Sequence, residues 1–283
     1  MGKVEMRRSP PMKTIHADEF TPEAVVTELL DGSGAVRLPG VFDAEQVRAA
    51  RELIVAATDD DQFTGSHFNQ DDDDARLQRR VWNLFSKGDV FCEMVQHRSI
   101  VASMRAFLGS EFIVGSYCAS RTMPGFQGQE PHIDYPYWDF HRAHSFPARI
   151  NSSFPLNAQG TIVIDPFTIE SGATAYRPGS SSQLRYPTAD DRFFDDYEQM
   201  LGEPGDLILF YGLTWHCAMP NRSDHGRIGL LIEFLPKFVT PIEDMLSGLD
   251  AEFLDTAGPI VRQMLGLDYP WPSSPPHAPF VDA

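Results

Sequence analysis

"GDLILFYGLTWHCAMPNRSDHGRIGLLIEFL", Gly205 to Leu235, reads as a strand, a turn cluster and a second strand. Gly205-Asp206 forms a turn, and the apolar run "LILFY" follows it with the length of one strand. "MPNRSDHG" then gathers turn formers before "RIGLLIEFL" resumes a β-rich pattern. Side chains of a strand alternate, so Arg227, Gly229, Leu231 and Glu233 face one way. His216 stands at the far end of the first strand, eleven residues before Arg227. A buried sheet face admits an imidazole or a guanidinium only with a partner.

The same texture extends upstream. "EFIVGSYCAS", "GTIVID" and "ATAYRP" are further β-rich runs, separated by turn clusters such as "MPGFQGQ", "PGSSS" and "GEPGD". Many short strands with Gly/Pro turns predict a sandwich or barrel, here over residues 111–236. Residues 13–110 are mostly helical in pattern. Thr21-Pro22-Glu23 and Asp43-Ala44-Glu45 are helix starts, and the second helix repeats Val47, Ala50, Leu53 and Ile54 at helical spacing. "AVRLPGVF" between them is a short strand ending in a Pro-Gly turn, and "DVFCEMVQHRSIVASMRAFLG" is a helical pair ending at Gly109. Residues 237–283 are expected to form a C-terminal helix and a Pro-rich tail. The expected whole, 1–283, is a single mainly-β domain with flanking α-helices.

Residues 59–79, "DDDQFTGSHFNQDDDDARLQR", are acidic and aperiodic. They predict a solvated loop and a candidate lid. The EF-hand order of Asp, Asn and Gly is absent, so calcium is not indicated.

The net charge of −17 argues against nucleic acid or an anionic membrane as partner. It leaves a small neutral or cationic molecule more attractive than a coenzyme A thioester. Cys92, Cys118 and Cys217 are too few and too scattered for a disulfide framework. The amino terminus lacks an apolar h-region, and no apolar run approaches the roughly 20 residues of a membrane span. A soluble, cytoplasmic protein is expected, which makes the sequons at Asn151 and Asn221 chance matches. The oligomeric state is not legible.

"QEPHIDYPYWDFH", Gln129 to His141, concentrates imidazoles, carboxylates and aromatic rings. On an extended segment His132 and Asp134 point to the same side. His216 is the best placed third ligand. Two imidazoles and one carboxylate on one face of an ion form the facial set of non-haem iron(II) oxygenases, with three positions left open. H-x-D alone is a weak signal. Its conjunction with the β-rich texture, His216 and Arg227 is stronger. An inward Arg227 is satisfied either by a bidentate clamp on a dicarboxylate or by an internal ion pair with Glu233 or another acid. His141 and His144 have H-x-x-H spacing, but surface or substrate-contact roles suit them better than a second metal. Arg149, Asn151 and Ser152 are substrate-contact candidates by position, and Phe140 and Trp215 read equally well as core.

The segments "AVRLPGVFDAEQVRAARELI", "PGFQGQEPHID", "ESGATAYRPGS" and "GDLILFYGLTWHCAMPNRSDHGRIGLL" together resemble the phytanoyl-CoA dioxygenase family of iron(II)/2-oxoglutarate oxygenases, over most of residues 35–235. The resemblance implies a double-stranded β-helix (jelly-roll, cupin-like) buttressed by the N-terminal helices. It implies iron(II) on His132, Asp134 and His216, 2-oxoglutarate with its distal carboxylate on Arg227, and dioxygen as oxidant. Trp138 falls where related hydroxylases wall the co-substrate pocket, with Tyr135 and Tyr137 beside it as pocket candidates. Two departures stand out. The family's "PGSH" is "PGSSS" here, and the Ser or Thr that some members carry two residues past the distal His is Ala218. A hydroxyl contact to the co-substrate must come from elsewhere, with Thr161, Tyr117 and Arg121 as candidate inward-facing strand residues. Related halogenases carry a small residue in place of the carboxylate, so Asp134 implies hydroxylation-type chemistry. Desaturation, epimerisation or cyclisation on the same site, a non-redox isomerase or hydrolase holding zinc, nickel or manganese, and a non-catalytic carboxylate-binding module are the alternatives. A natural-product or amino-acid-derived metabolite is the expected substrate class.

Overall fold

A computed structural model describes residues 10–59, 76–134 and 154–268. The candidate residues Tyr135, Tyr137, Trp138, Phe140, His141, His144, Arg149, Asn151 and Ser152, most of the proposed lid and the Pro-rich tail lie outside the described residues.

Helices α1 (Pro22–Leu30) and α2 (Ala44–Thr58) start where their caps dictate. Thr21 Oγ1 accepts from the Ala24 N–H at 3.1 Å. Asp43 Oδ1 accepts from the Glu45 and Gln46 N–H groups at 2.9 Å, and Gln46 Oε1 accepts from the Asp43 N–H at 3.3 Å. This reciprocal box satisfies donors that a helix start otherwise leaves bare. Asp43→Ala is expected to cost about 1 kcal/mol in a urea unfolding curve. An unchanged midpoint would show that the box adds nothing. Val47, Ala50 and Ile54 of α2 are buried, whereas Leu53 is 41% exposed at the edge of the apolar stripe. The helical pair is α3 (Asp89–Val95) and α4 (Arg98–Leu108), ending at Gly109.

The strands are β1 (Lys13–Thr14), β2 (Ala35–Leu38), β3 (Gln78–Val81), β4 (Ile113–Thr122), β5 (Ala158–Val163), β6 (Ala175–Tyr176), β7 (Glu198–Gln199), β8 (Leu207–Tyr211), β9 (His216–Cys217) and β10 (Arg227–Leu235). Among the described residues they form a seven-stranded sheet, β1-β2-β8-β5-β10-β4-β3, and a three-stranded sheet, β7-β6-β9. All pairings are antiparallel except β1 with β2.

Alternation along the strands sorts the core into two layers. Leu209 of β8, Ile162 of β5, and Ile232 and Phe234 of β10 pack with Val25, Leu29, Ile54, Phe91, Met104 and Phe107 of the four helices. Ile208 and Phe210 of β8 and Val163 of β5 face the other way, against Phe167, Ala173, Tyr176 and Met200. Burying each large side chain contributes about 1.5–3 kcal/mol relative to exposure. The result is a large sheet with helices on one face and a small sheet on the other, and the space between the sheets is where a site can open.

Two expectations need correction. The acidic loop read as 59–79 stops earlier, because Gln78–Val81 is strand β3, paired with β4 at Gln78↔Thr122 and Val81↔Ala119. "QRRV" has little β character of its own. It is recruited because β4 otherwise presents bare backbone groups, and a charged edge strand is the usual answer. The C-terminal helix is two short ones, α5 (Ala251–Thr256) and α6 (Pro259–Met264), broken where Pro259 starts a new first turn.

Candidate active site

His132 and His216 are brought together by the backbone before any ligand is considered. The His132 N–H donates to the His216 carbonyl at 2.9 Å, and the His216 N–H returns the bond to His132 at 3.0 Å. Asp134 is fixed by its own N–H to the Gly212 carbonyl at 2.9 Å, and its carbonyl accepts from Asn157 Nδ2 at 2.7 Å. The H-x-D segment thus adds an isolated bridge beside β9, and its two side chains emerge on one side.

The donor atoms of His132, Asp134 and His216 lie within 4.8 Å of one another. Asp134 Oδ2 is 3.2 Å from His216 Nε2, and Oδ1 is 3.6 Å from His132 Nε2. His132 Nδ1 lies 2.7 Å from the Glu130 carbonyl and His216 Nδ1 lies 2.9 Å from that of Thr214. A carbonyl only accepts, so each Nδ1 carries the proton and each Nε2 turns its lone pair to the shared centre. This backing by carbonyls is the outer-shell arrangement of ligating histidines. Spacings of this size suit one ion about 2.1 Å from each donor. Burial, with the charge of His216 beside it, pushes the His132 imidazole down to about 4, so it is neutral and ligand-ready at neutral pH. Burial opposes protonation of His216, but the Asp134 carboxylate prevails and raises it. Burial also works against the Asp134 anion, and the two imidazoles outweigh it and hold the carboxyl low.

A cavity of about 390 Å³ opens from these donors into the inter-sheet space, within the usual range for small-molecule sites. Arg227, Gly229, Leu231 and Glu233 all line it, as the alternation along β10 predicts. Arg227 is 6% exposed, its Nε donates to Thr122 Oγ1 at 3.3 Å, and its guanidinium lies 4.1 Å over the Phe167 ring. Burial lowers it to about 10, with the Asp165 carboxylate opposing from a distance, so it stays charged at neutral pH. Among the described residues no carboxylate stands within ion-pair reach of Arg227. The internal ion pair considered for it is therefore absent there. Gly229 has its own reason to be glycine: a Cβ would lie 2.8 Å from Phe167 Cζ and push that ring off the arginine.

Thr161 lines the cavity, but Tyr117 and Arg121 do not. They are the opposite parity of β4. Tyr117 is fully buried against Phe85 and Phe91 on the helical side, its hydroxyl donating to the Phe91 carbonyl at 3.1 Å. Arg121 turns to α2, donating to Thr58 Oγ1 at 3.1 Å and reaching Asp59. Packing wins over polarity here, because the aromatic ring fills the helical core while Ser116, Cys118 and Ser120 take the cavity face. Tyr117→Phe should leave the 2-oxoglutarate KM unchanged and cost about 1 kcal/mol of stability from the lost hydrogen bond. A raised KM would return Tyr117 to the cavity.

Residues that the sequence reading missed also line the cavity: Gln78, Arg80, Trp82, Gln159, Thr174 and Tyr186. Arg80 Nη1 reaches Cys118 Sγ at 3.2 Å. Tyr186 donates to the Ile133 carbonyl at 3.1 Å, bracing the H-x-D segment. Where the family carries "PGSH", Ser180 accepts from the Trp215 N–H at 2.8 Å and so fixes the backbone just before His216. The alternation of small residues in "GSYCAS" was the available signal for the cavity face of β4.

Comparison with known proteins places this site in a family. The chain is 26% identical over 273 residues to dioxygenase cdmD of Talaromyces verruculosus, spanning 88% of this chain and 85% of that protein. It is 28% identical over 257 residues to dioxygenase cdmA of the same organism, spanning 87% and 83%. Among solved structures it shares the fold of the alpha-ketoglutarate-dependent carbocyclase SnoK from nogalamycin biosynthesis, with a TM-score of 0.61, 19% identity and coverage of 83% and 92%. The epimerase SnoN, solved with Fe3+, alpha ketoglutarate and nogalamycin RO, superposes with a TM-score of 0.56 at 18% identity, covering 77% and 85%. The profile of the family described as phytanoyl-CoA dioxygenase (PhyH) matches residues 30–229. The chain belongs to the phytanoyl-CoA dioxygenase family and is a 2-oxoglutarate-dependent dioxygenase.

Proposed function

We propose that the protein oxidises an unactivated C–H bond of a small molecule, most simply by hydroxylation. In this reading iron(II) is held by His132, Asp134 and His216, and 2-oxoglutarate lies between the metal and Arg227. The observation that carries it is one cavity with a two-His, one-carboxylate donor set on one wall and a buried, carboxylate-free arginine on another. The sheets are read as a double-stranded β-helix over 111–236, with 13–110 as its helical buttress. When bound, iron supplies dioxygen activation coupled to the loss of carbon dioxide from 2-oxoglutarate, leaving succinate.

The chain's own residues do the rest. His132, Asp134 and His216 would hold the ion from one wall of the cavity and leave its open side to co-substrate and oxidant. Arg227 takes the distal carboxylate with its fork, while Phe167 beneath and Thr122 beside it hold the guanidinium flat. Thr161 is the hydroxyl on the cavity face of β5 that stands in for the absent one at Ala218. Leu231, Phe167 and Phe210 keep water from this path.

A natural-product or amino-acid-derived substrate is favoured by the likeness to SnoK and SnoN, both from nogalamycin biosynthesis. Those two also support a second outcome, epimerisation or ring closure in place of hydroxylation. The test is oxygen-dependent succinate release with a panel of such metabolites, followed by product mass. Gain of one oxygen marks hydroxylation, unchanged mass marks epimerisation, and loss of two hydrogens marks desaturation or cyclisation. No oxygen-dependent succinate with any metabolite would contradict the reading.

A further inference from the structure

The segments that carry His132, Asp134 and His216 are short. β9 is two residues long, His216–Cys217, and the H-x-D segment meets it at the isolated bridge His132↔His216. Strands usually run roughly 3–10 residues, and so short a ladder opens locally unless other contacts hold it. On its other side β9 pairs with β6, at Tyr176↔His216 and Ala175↔Cys217. The residues that follow β6 supply what this ladder lacks.

Trp215, the residue before His216, is held by them at each of its polar groups. The Arg177 N–H donates to its carbonyl at 2.9 Å, and its own N–H donates to Ser180 Oγ at 2.8 Å. Its indole Nε1–H donates to the Arg185 carbonyl at 2.8 Å, and the Arg185 guanidinium lies 4.8 Å from the centre of its ring. Arg185 is fixed in turn, because its Nη1 and Nη2 donate to the Asp191 carboxylate at 2.7 and 2.6 Å. The next residue, Tyr186, reaches the other ligand-bearing segment. Its hydroxyl donates at 3.1 Å to the Ile133 carbonyl, in the peptide that joins Ile133 to Asp134. Trp215 and Ile133 are both buried, so water does not readily replace a bond lost at either. A loop that merely crossed the surface would close on itself, as the turns at Ser180–Gln183 and Ala189–Asp191 do. Here two adjacent residues also reach outward, Arg185 to one half of the donor set and Tyr186 to the other.

We propose that Arg185 and Tyr186 form a clamp across the donor set, and that Tyr186 and Trp215 are positioning residues for the metal. The clamp holds His216 at one separation from the H-x-D segment, so the three donors are preorganised for their ion. This rests on the metal site read above. The full-length protein, freed of metal, should be titrated with cobalt(II) alone, whose visible d–d bands report the geometry of its donors. Tyr186→Phe keeps the ring in the cavity wall and removes only the hydroxyl. It should bind cobalt(II) about tenfold more weakly, the lower end of what a change behind the metal ligands costs, with displaced band maxima. Trp215→Phe removes the indole donor to Arg185 and should act in the same direction, which carries the test if the tyrosine variant does not fold. A hydroxyl that served only to secure the loop would lower the urea midpoint of Tyr186→Phe and leave cobalt(II) affinity and bands as in the wild type. That result overturns the proposal. A wild-type protein that binds no cobalt(II) overturns the metal-site assignment instead, and this proposal with it.

Discussion

Asp134→Ala is expected to abolish iron-dependent turnover and to weaken iron binding by more than about 100-fold. Changes to groups that merely orient metal ligands cost about 10–100-fold, and Asp134 is assigned as the anionic donor of the set. Its carboxylate stands 3.2 Å from His216 Nε2 and 3.6 Å from His132 Nε2, so both imidazoles lose the same neighbour. Without it, only the Thr214 carbonyl still opposes the effect of burial on His216, and two imidazoles with no anionic donor remain, a poor cage for a hard divalent ion. Circular dichroism should be unchanged, because the backbone bonds from Asp134 to Gly212 and Asn157 do not involve the carboxylate. Iron affinity measured by equilibrium dialysis decides the matter. A variant that binds iron as tightly as the wild type would remove Asp134 from the ligand set.

Arg227→Ala should raise the 2-oxoglutarate KM by about 10- to 100-fold, the worth of a charge-assisted, bidentate contact in a dry site. Arg227→Lys should fall between. A lysine keeps the charge but loses the fork and the stack on Phe167, now 4.1 Å from the guanidinium. The loss should appear in the KM for 2-oxoglutarate and leave the KM for substrate near its original value, since the guanidinium is assigned to the co-substrate alone. An unchanged 2-oxoglutarate KM in Arg227→Ala would take that residue out of its assigned place.

The convergence of His132, Asp134 and His216 was legible because two strong rules coincided. H-x-D on an extended segment must present both side chains together, and a histidine at the end of an apolar strand must have a polar reason to be there. The cavity face of β10 was legible for the same reason, since period-two alternation from Arg227 leaves no choice. β4 was harder. Every residue of "IVGSYCASRT" except Arg121 is buried, so period two gave two equal answers, and hydroxyl chemistry at Tyr117 pointed to the wrong one. The ring went to the larger apolar volume against the helices. Gln78 and Arg80 were invisible as cavity residues because "QRRV" is extended only through its partner β4, a tertiary cause that local composition does not carry. Glu233, by contrast, shares the inward-facing parity of Arg227, and it lines the cavity as that alternation predicts.

The central claim is that His132, Asp134 and His216 bind one ferrous ion beside a 2-oxoglutarate anchored on Arg227. Anaerobic titration of the protein with iron(II) and 2-oxoglutarate, followed by visible absorption, tests it most directly. A charge-transfer band that needs both components and saturates at one of each per chain is the expected result. A spectrum that stays featureless at saturating iron and 2-oxoglutarate would contradict it.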